Sequence, residues 1–278
     1  MRELDFAEAG GRPLRLDLHL PSPSAAVLLP VIVFVHGGGW QMGTRHEFGP
    51  EVDRAFERMV EAGFAVASVE YRLSHEAVFP AQVDDVVAAL RWVGTDGERF
   101  GLDASRVVLW GESAGAALAA LVALRADGRP RPDAAIRGVV DWYGPTDIPA
   151  LGADLGRLDD PQCAEGRWLG GTIAGLPDAA AAASAARQVE PAIAAERELP
   201  PFLIAHGAAD ASVPPAQGAL LATELRRAGG DVEFALVEGA GHRFVVAPGS
   251  AADVDRDGLF ERSLSFARRV VGDSSIGH

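Results

Sequence analysis

"VVLWGESAGAALAALVAL", residues 107–124, decides how this chain is read. Four apolar residues predict a buried strand, the Ala/Leu run predicts a helix, and only Gly111-Glu112-Ser113-Ala114-Gly115 joins them. A G-x-S-x-G junction between strand and helix holds its serine on a sharp, strained turn at the edge of a sheet. Glycines suit the flanks, because a Cβ at either position would collide with the neighbouring strand or helix. The bland alternative is a tight turn whose serine caps the helix. Placement between "VVLW" and "AALAALVAL" favours Ser113 as a nucleophile.

Outward from that junction the same grammar repeats. Apolar runs predict strands at 31–35, 64–69, 106–110, 136–142, 201–206 and 232–238. Between them, Phe56, Met59 and Val60, then Val83, Val86, Val87 and Leu90, then Leu220, Leu221 and Leu225, and finally Phe260, Leu264 and Ala267 recur at helical spacing. Ahead of them, "LDFAEAGGRPLRLDLHL" predicts an antiparallel hairpin around Gly10-Gly11. Strand-helix alternation implies an α/β fold with a mostly parallel sheet and helices on both faces. Ligands on such sheets bind beyond the carboxyl ends of the strands, so functional residues belong just after them. Residues 145–200, rich in Ala, Gly and Pro, break the rhythm. They are expected to form an insertion covering the carboxyl edge of a single domain spanning 1–278.

Composition removes several function classes. Asp and Glu number 39 against 25 Lys and Arg, a formal net charge of -14, and no stretch gathers Lys or Arg into a phosphate-tracking stripe. Nucleic acid and anionic membranes are therefore not expected partners. The single cysteine, Cys163, forms no intrachain disulfide and no metal cluster, which leaves a cytoplasmic location as the expectation. "AAVLLPVIVFV" at 25–35 is too short to span a bilayer, contains Pro30 and lacks a basic leader, so it predicts a core strand rather than a signal peptide. "DVDRDG" at 253–258 imitates an EF-hand, but Leu264 stands where the bidentate Glu belongs; acidic residues opening a helix explain it. The alanine run 179–186 favours helix and belongs to the covering insertion.

A serine attacks only when a base takes its proton and a third group holds that base. Asp210, in "IAHGAADASVP", and His242, in "VEGAGHRF", each follow a predicted strand, in the chain order Ser, Asp, His. Asp141 or Asp147, after the preceding strand, is the alternative acid. His19 sits in an edge strand, His46 and His75 in loops, His206 before the acid loop, and His278 at the terminus. In "VIVFVHGGGWQMG" at 31–43, three glycines after a strand turn backbone N–H groups outward, able with the N–H of Ala114 to bind an oxyanion. No helix with Lys and Ser/Thr follows them, which excludes a P-loop. His36 is expected to pin the loop. Trp40, Phe79, Trp142, Tyr143, Trp168 and Phe244 are candidates for lining an apolar substrate pocket.

Together, HGGGW at 36–40, YRLS at 71–74 with FPAQVDDVVAALRWV after it, GESAG at 111–115 and HGAADASVP at 206–214 resemble the α/β-hydrolase superfamily. Within it the chain is most similar to esterases related to hormone-sensitive lipase and to the feruloyl/acetyl-xylan esterase-like group, from about residue 12 to about 270. The resemblance implies a Ser113, Asp210, His242 triad with Gly38, Gly39 and Ala114 as oxyanion donors, Gly37 being able to replace one glycine. Such parts would hydrolyse an ester through an acyl-enzyme with no metal or organic cofactor, and an insertion at 145–200 that limits the pocket's depth favours short acyl chains; a small-molecule ester is the expected partner, of a monomer or homodimer. Arylformamidases, acyl-transferring or lactone-forming enzymes and a non-catalytic binding module are the rival readings. Two departures stand out: Glu112 replaces the common Asp before the nucleophile, and Arg243 follows the histidine where such relatives often carry Gly. The acid also lacks a DPLxD-like context.

Overall fold

Alternating residues at the start of the chain form a hairpin, with β1 (Arg2–Ala9) antiparallel to β2 (Arg12–His19) across Gly10 and Gly11. The apolar runs that follow become β3 (Leu29–Val35), β4 (Ala65–Val69), β5 (Leu102–Glu112), β6 (Ile136–Trp142), β7 (Phe202–Gly207) and β8 (Val232–Val237). The computed structural model describes residues 1–22, 27–49, 52–125, 134–247 and 252–272; His278 and residues 25 and 26 lie outside them. All eight strands enter one sheet, ordered β1-β2-β4-β3-β5-β6-β7-β8. β2 runs antiparallel to β4, and every pairing from β4 to β8 is parallel. β5 is longer than its apolar run predicts: its parallel pairing with β3 and β6 continues to Gly111 and Glu112.

Side-chain alternation sends Val31, Val33 and Val35 to one face of the sheet and Ile32 and Phe34 to the other. On the first face lie α2 (Ala81–Asp96), α3 (Ala114–Leu124) and α8 (Ala216–Arg227), burying Val86, Leu90, Leu118, Leu221 and Leu225. On the second lie α1 (Ala55–Glu61) and α9 (Arg256–Val271), burying Phe56, Met59, Phe260 and Leu264. Asp255, from the EF-hand-like stretch, accepts the Gly258 N–H at 2.7 Å and caps α9.

Between β6 and β7, residues 145–200 hold four short helices: α4 (Ile148–Asp154), α5 (Ala164–Leu169), α6 (Pro177–Ala182) and α7 (Val189–Ala194). They join the α2/α3 side of the core. Trp168 of α5 donates its indole N–H to Gln82 of α2 at 3.0 Å and stacks on Trp40 with ring centres 3.9 Å apart.

Candidate active site

The junction between β5 and α3 is one residue long, and that residue is Ser113, at φ 50 and ψ -119. Side-chain-bearing residues avoid this conformation, which costs about 1–3 kcal/mol and persists only where the surroundings impose it. Here they do. A Cβ on Gly111 would sit 2.4 Å from the Gly115 carbonyl oxygen and 2.5 Å from Ala116 Cα, while one on Gly115 would sit 2.1 Å from the Val35 oxygen. Strand β3 and the first turn of α3 thus fit around the serine only with glycine at both flanks. The Ser113 N–H donates to the Trp142 carbonyl at 2.8 Å, registering the elbow against β6.

The two neighbouring strand ends deliver the partners. His242 lies in the turn after β8, with Nε2 3.1 Å from Ser113 Oγ and Nδ1 2.7 Å from Asp210 Oδ2. Asp210, buried after β7, uses its other oxygen to accept the N–H groups of Ser212 and Val213, both at 2.9 Å. A carboxylate only accepts, so Nδ1 carries the imidazole proton and the Nε2 lone pair faces Ser113. His206 is neutral because burial pushes its pKa down; its Nε2 donates to the Val213 carbonyl at 2.8 Å and supports the acid loop from beneath.

The alternative acids do different work. Asp141 accepts the Gly144 N–H at 2.9 Å, and burial pushes its pKa up to about 7. Asp147 caps α4 through the Ala150 N–H and pairs with Arg187 at 2.7 Å. Among the described residues, neither is hydrogen-bonded to His242, whose partners are Asp210 and Ser113.

The glycine loop turns at Gly38 and Gly39, with φ 113 and 59, and closes when the Gly38 carbonyl accepts the N–H groups of Gln41 and Met42. Among the described residues, the N–H groups of Gly38, Gly39 and Ala114 meet no acceptor. His36 stacks on Tyr71 with ring centres 4.4 Å apart, and its Nδ1 donates to the Gly37 carbonyl at 2.7 Å. Burial drives its pKa down to about 4, so it is a neutral prop for the loop. Arg45 anchors the far end, pairing with Asp17 at 3.1 Å, with Glu70 at 2.7 Å and with Glu3. Its partners are scattered along the sequence, so no local motif announces this anchor.

The glycine loop, the elbow and the His242 turn enclose a cavity of about 360 Å³, whose remaining wall includes Met42, Thr44, Glu47, Gly49, Tyr143 and Arg243. Of the aromatic residues expected to line it, Tyr143 alone does so. Trp40, Trp142, Trp168 and Phe244 are at most 1% exposed and belong to the core. Trp40 and Trp168 stack on each other with Phe79 edge-on to Trp168, and Trp142 packs among Trp110, Phe260 and Phe244 while donating to Ser263 Oγ at 3.1 Å. Large rings beside a strand end can support the edge from beneath or face the ligand, and sequence position does not distinguish the two. A larger groove, about 890 Å³, lies at the amino ends of β3 and β4 and contains no residue of the Ser-His-Asp constellation.

The model of the BD-FAE family matches residues 16–225, from β2 into α8. The chain belongs to the BD-FAE family. The match takes in the glycine loop, the elbow and Asp210. Esterase LipQ of Mycobacterium tuberculosis (strain ATCC 25618 / H37Rv) is 31% identical over 246 residues, covering 86% of this BD-FAE chain and 56% of LipQ. Esterase LipC of the same organism is 30% identical over 233 residues, covering 80% and 54%. The chain thus spans little more than half the length of these relatives. Among solved structures, the native form of the thermophilic esterase Est2 from Thermogutta terrifontis superposes with a TM-score of 0.77 at 24% identity, covering all of this chain and 95% of that one. A truncated carbohydrate esterase from gut microbiota gives 0.74 at 23%, covering 98% and 96%. The sheet order and these likenesses define an α/β-hydrolase fold.

Proposed function

We propose that this BD-FAE protein is a serine hydrolase of short-chain carboxylic esters. The observation that carries the reading is the hydrogen-bonded chain from Ser113 Oγ through His242 to Asp210, opening on a cavity rimmed by glycine N–H groups. In this reading His242 Nε2 takes the Oγ proton as Ser113 attacks the ester carbonyl carbon, and Asp210 stabilises the resulting imidazolium. The N–H groups of Gly38, Gly39 and Ala114 receive the oxyanion; Gly37 is the reserve donor, and each donor is worth about 3 kcal/mol in the transition state. His242 then gives its proton to the departing alcohol oxygen. Water repeats the sequence on the acyl-enzyme and frees the acid. The relatives named above, LipQ, LipC, Est2 and the gut carbohydrate esterase, are all esterases, which supports this chemistry.

The same reading treats 1–278 as one domain, with 145–200 as its covering insertion, supported by a single sheet that contains every strand among the described residues. The insertion packs on the glycine loop, with Ala164 beside Gly39 and Trp168 stacked on Trp40 directly after it. A cavity of this size favours short acyl groups, since each added methylene needs room as well as burial. A cytoplasmic monomer or homodimer acting on a small-molecule ester completes the reading. Hydrolysis of p-nitrophenyl esters, with N-formylkynurenine alongside, tests it: kcat/KM should peak between acetyl and butyryl and fall steeply by octanoyl, and Ser113→Ala should abolish turnover in a folded protein. A peak at long chains, activation at a lipid interface or faster cleavage of the formamide contradicts it.

A further inference from the structure

Glu112 and Arg243, two of the departures from the resembled motifs, meet at one residue. The Gly49 N–H donates to the Glu112 carboxyl, at 2.9 and 3.1 Å to its two oxygens, and the Arg243 guanidinium donates to the Gly49 carbonyl. A Cβ on Gly49 would stand 2.2 Å from Glu112 Oε2, so the grip requires glycine there. It holds Arg243, one residue after His242 and at φ 60, with its guanidinium on the wall of the cavity that contains Ser113.

That guanidinium makes no ion pair with any described residue. Arg12, Arg45, Arg58, Arg72, Arg187 and Arg269, by contrast, each hold at least one carboxylate. The carboxyl nearest to hand, Glu112, is buried, and desolvation pushes its pKa up to about 8 against the opposing pull of the Gly49 N–H and Arg243. At neutral pH it is mostly uncharged and leaves the arginine's charge unanswered. Tyr143, the other titratable group facing Glu112, is neutral as well, because burial raises its pKa. His36 on the same wall is neutral, and Glu47, the one anion there among the described residues, is exposed to screening solvent, as is Arg243 itself, which its bond to the Gly49 carbonyl keeps at the cavity. A fixed, unanswered guanidinium beside a nucleophile is a carboxylate receptor by its planar donor geometry.

We propose that the cavity selects esters that carry a free carboxylate, with Arg243 as the counter-ion and Gly49 and Glu112 as the residues that position it. This rests on the esterase reading and narrows its substrate class. Above about pH 8 Glu112 ionises, becomes a competing anion beside Arg243, and the selection weakens.

The test compares matched pairs of esters that differ only in charge: monomethyl glutarate against methyl glutaramate for an acyl-side carboxylate, and 4-acetoxybenzoate against 4-acetoxybenzamide for an alcohol-side one. At pH 7 the charged member of at least one pair should be favoured about tenfold or more in kcat/KM, mainly through KM, and 1 M NaCl should shrink that ratio. The ratio should fall close to one in Arg243→Gln and in Arg243→Gly, whose glycine accepts the left-handed backbone, and Arg243→Lys should keep part of it. Between pH 7 and 9 it should decline in the wild type and stay level in Glu112→Gln; pH effects on the steps common to both members cancel in the ratio. Amides cleaved as well as the acids, or a preference that survives loss of Arg243, overturns the proposal. Turnover of p-nitrophenyl acetate separates the two levels: a wild type that cleaves neutral esters without charge preference contradicts this inference alone, and one that cleaves no ester contradicts both.

Discussion

Strands β6 and β7 lie side by side, and each supplies a buried aspartate at its carboxyl end, Asp141 and Asp210. Burial does not separate them; their hydrogen bonds do. Asp141 receives one N–H, from Gly144, and its Oδ2 has no hydrogen-bond partner among the described residues. Desolvation therefore dominates and holds its pKa at about 7. Asp210 receives two N–H groups on one oxygen and His242 on the other. After β6 the chain turns through Tyr143, at φ 49, and leaves; after β7 it folds back over its own carboxylate, while β8 next door brings the imidazole. A carboxylate suited to orienting a base is thus made by the loop that follows the strand, and the strand only sets its height.

The sharpest way to break this contrast is to neutralise each acid in turn. Asp210→Asn should keep the fold but reverse the hydrogen-bond polarity at Nδ1, leaving His242 in the wrong tautomer and lowering kcat by about three to four orders of magnitude. Steady-state kinetics on the folded variant checks it, and a kcat within tenfold of wild type would dissolve the distinction between the two strand ends.

A smaller effect is expected from crowding β7 against the turn that leads to His242. A Cβ on Gly207 would stand 2.4 Å from the Ala240 oxygen and 2.6 Å from the Gly241 oxygen. Gly207→Ala should therefore displace His242 relative to Ser113 and lower kcat by about ten- to a hundredfold, as misplacements near 1 Å do. Unchanged kcat in a soluble, folded variant would show that the His242 turn moves independently of β7.

The smallest kinetic effect belongs to Asp141→Asn, with kcat within a few-fold of wild type. Its signature lies in stability. Folding raises the Asp141 pKa to about 7, so between the ordinary carboxylate range and pH 7 the folded chain keeps a proton that the unfolded chain releases. Asp141's contribution to wild-type stability should fall across that window and level off above it. The variant lacks this loss, so its Tm relative to wild type should rise from pH 4.5 to pH 8, a trend that calorimetry reads directly. A flat difference would mean that Asp141 ionises as freely folded as unfolded.

Much of the architecture was legible because one strand and one helix are enough to bury a short apolar run. The runs at 31–35 and 136–142 became β3 and β6 with little or no change of boundary, and the hairpin turned at Gly10 and Gly11. Ser113, Asp210 and His242 were legible as positions after strands, and the structure brings their side chains into one hydrogen-bonded line. The pocket was not legible. Trp40, Trp142, Trp168 and Phe244 lie beneath the edge, in stacks whose members come from distant segments. The wall at Thr44, Glu47 and Gly49 belongs to a loop without periodicity, held through Arg45 by Glu3, Asp17 and Glu70. Glu112 and Arg243 were visible only as misfits to a motif, and three-dimensional contact at Gly49 gives the misfits a common reason.

Inactivation by an organophosphate, followed by peptide mass mapping, tests the central claim most directly, because it reads the nucleophile and its activation together. One phosphoryl group per chain should appear on Ser113 and on no other serine. The second-order rate should drop by about a thousandfold in Asp210→Asn and stay close to wild type in Asp141→Asn. Label on another residue, or a rate that collapses with Asp141 and not with Asp210, would contradict the account.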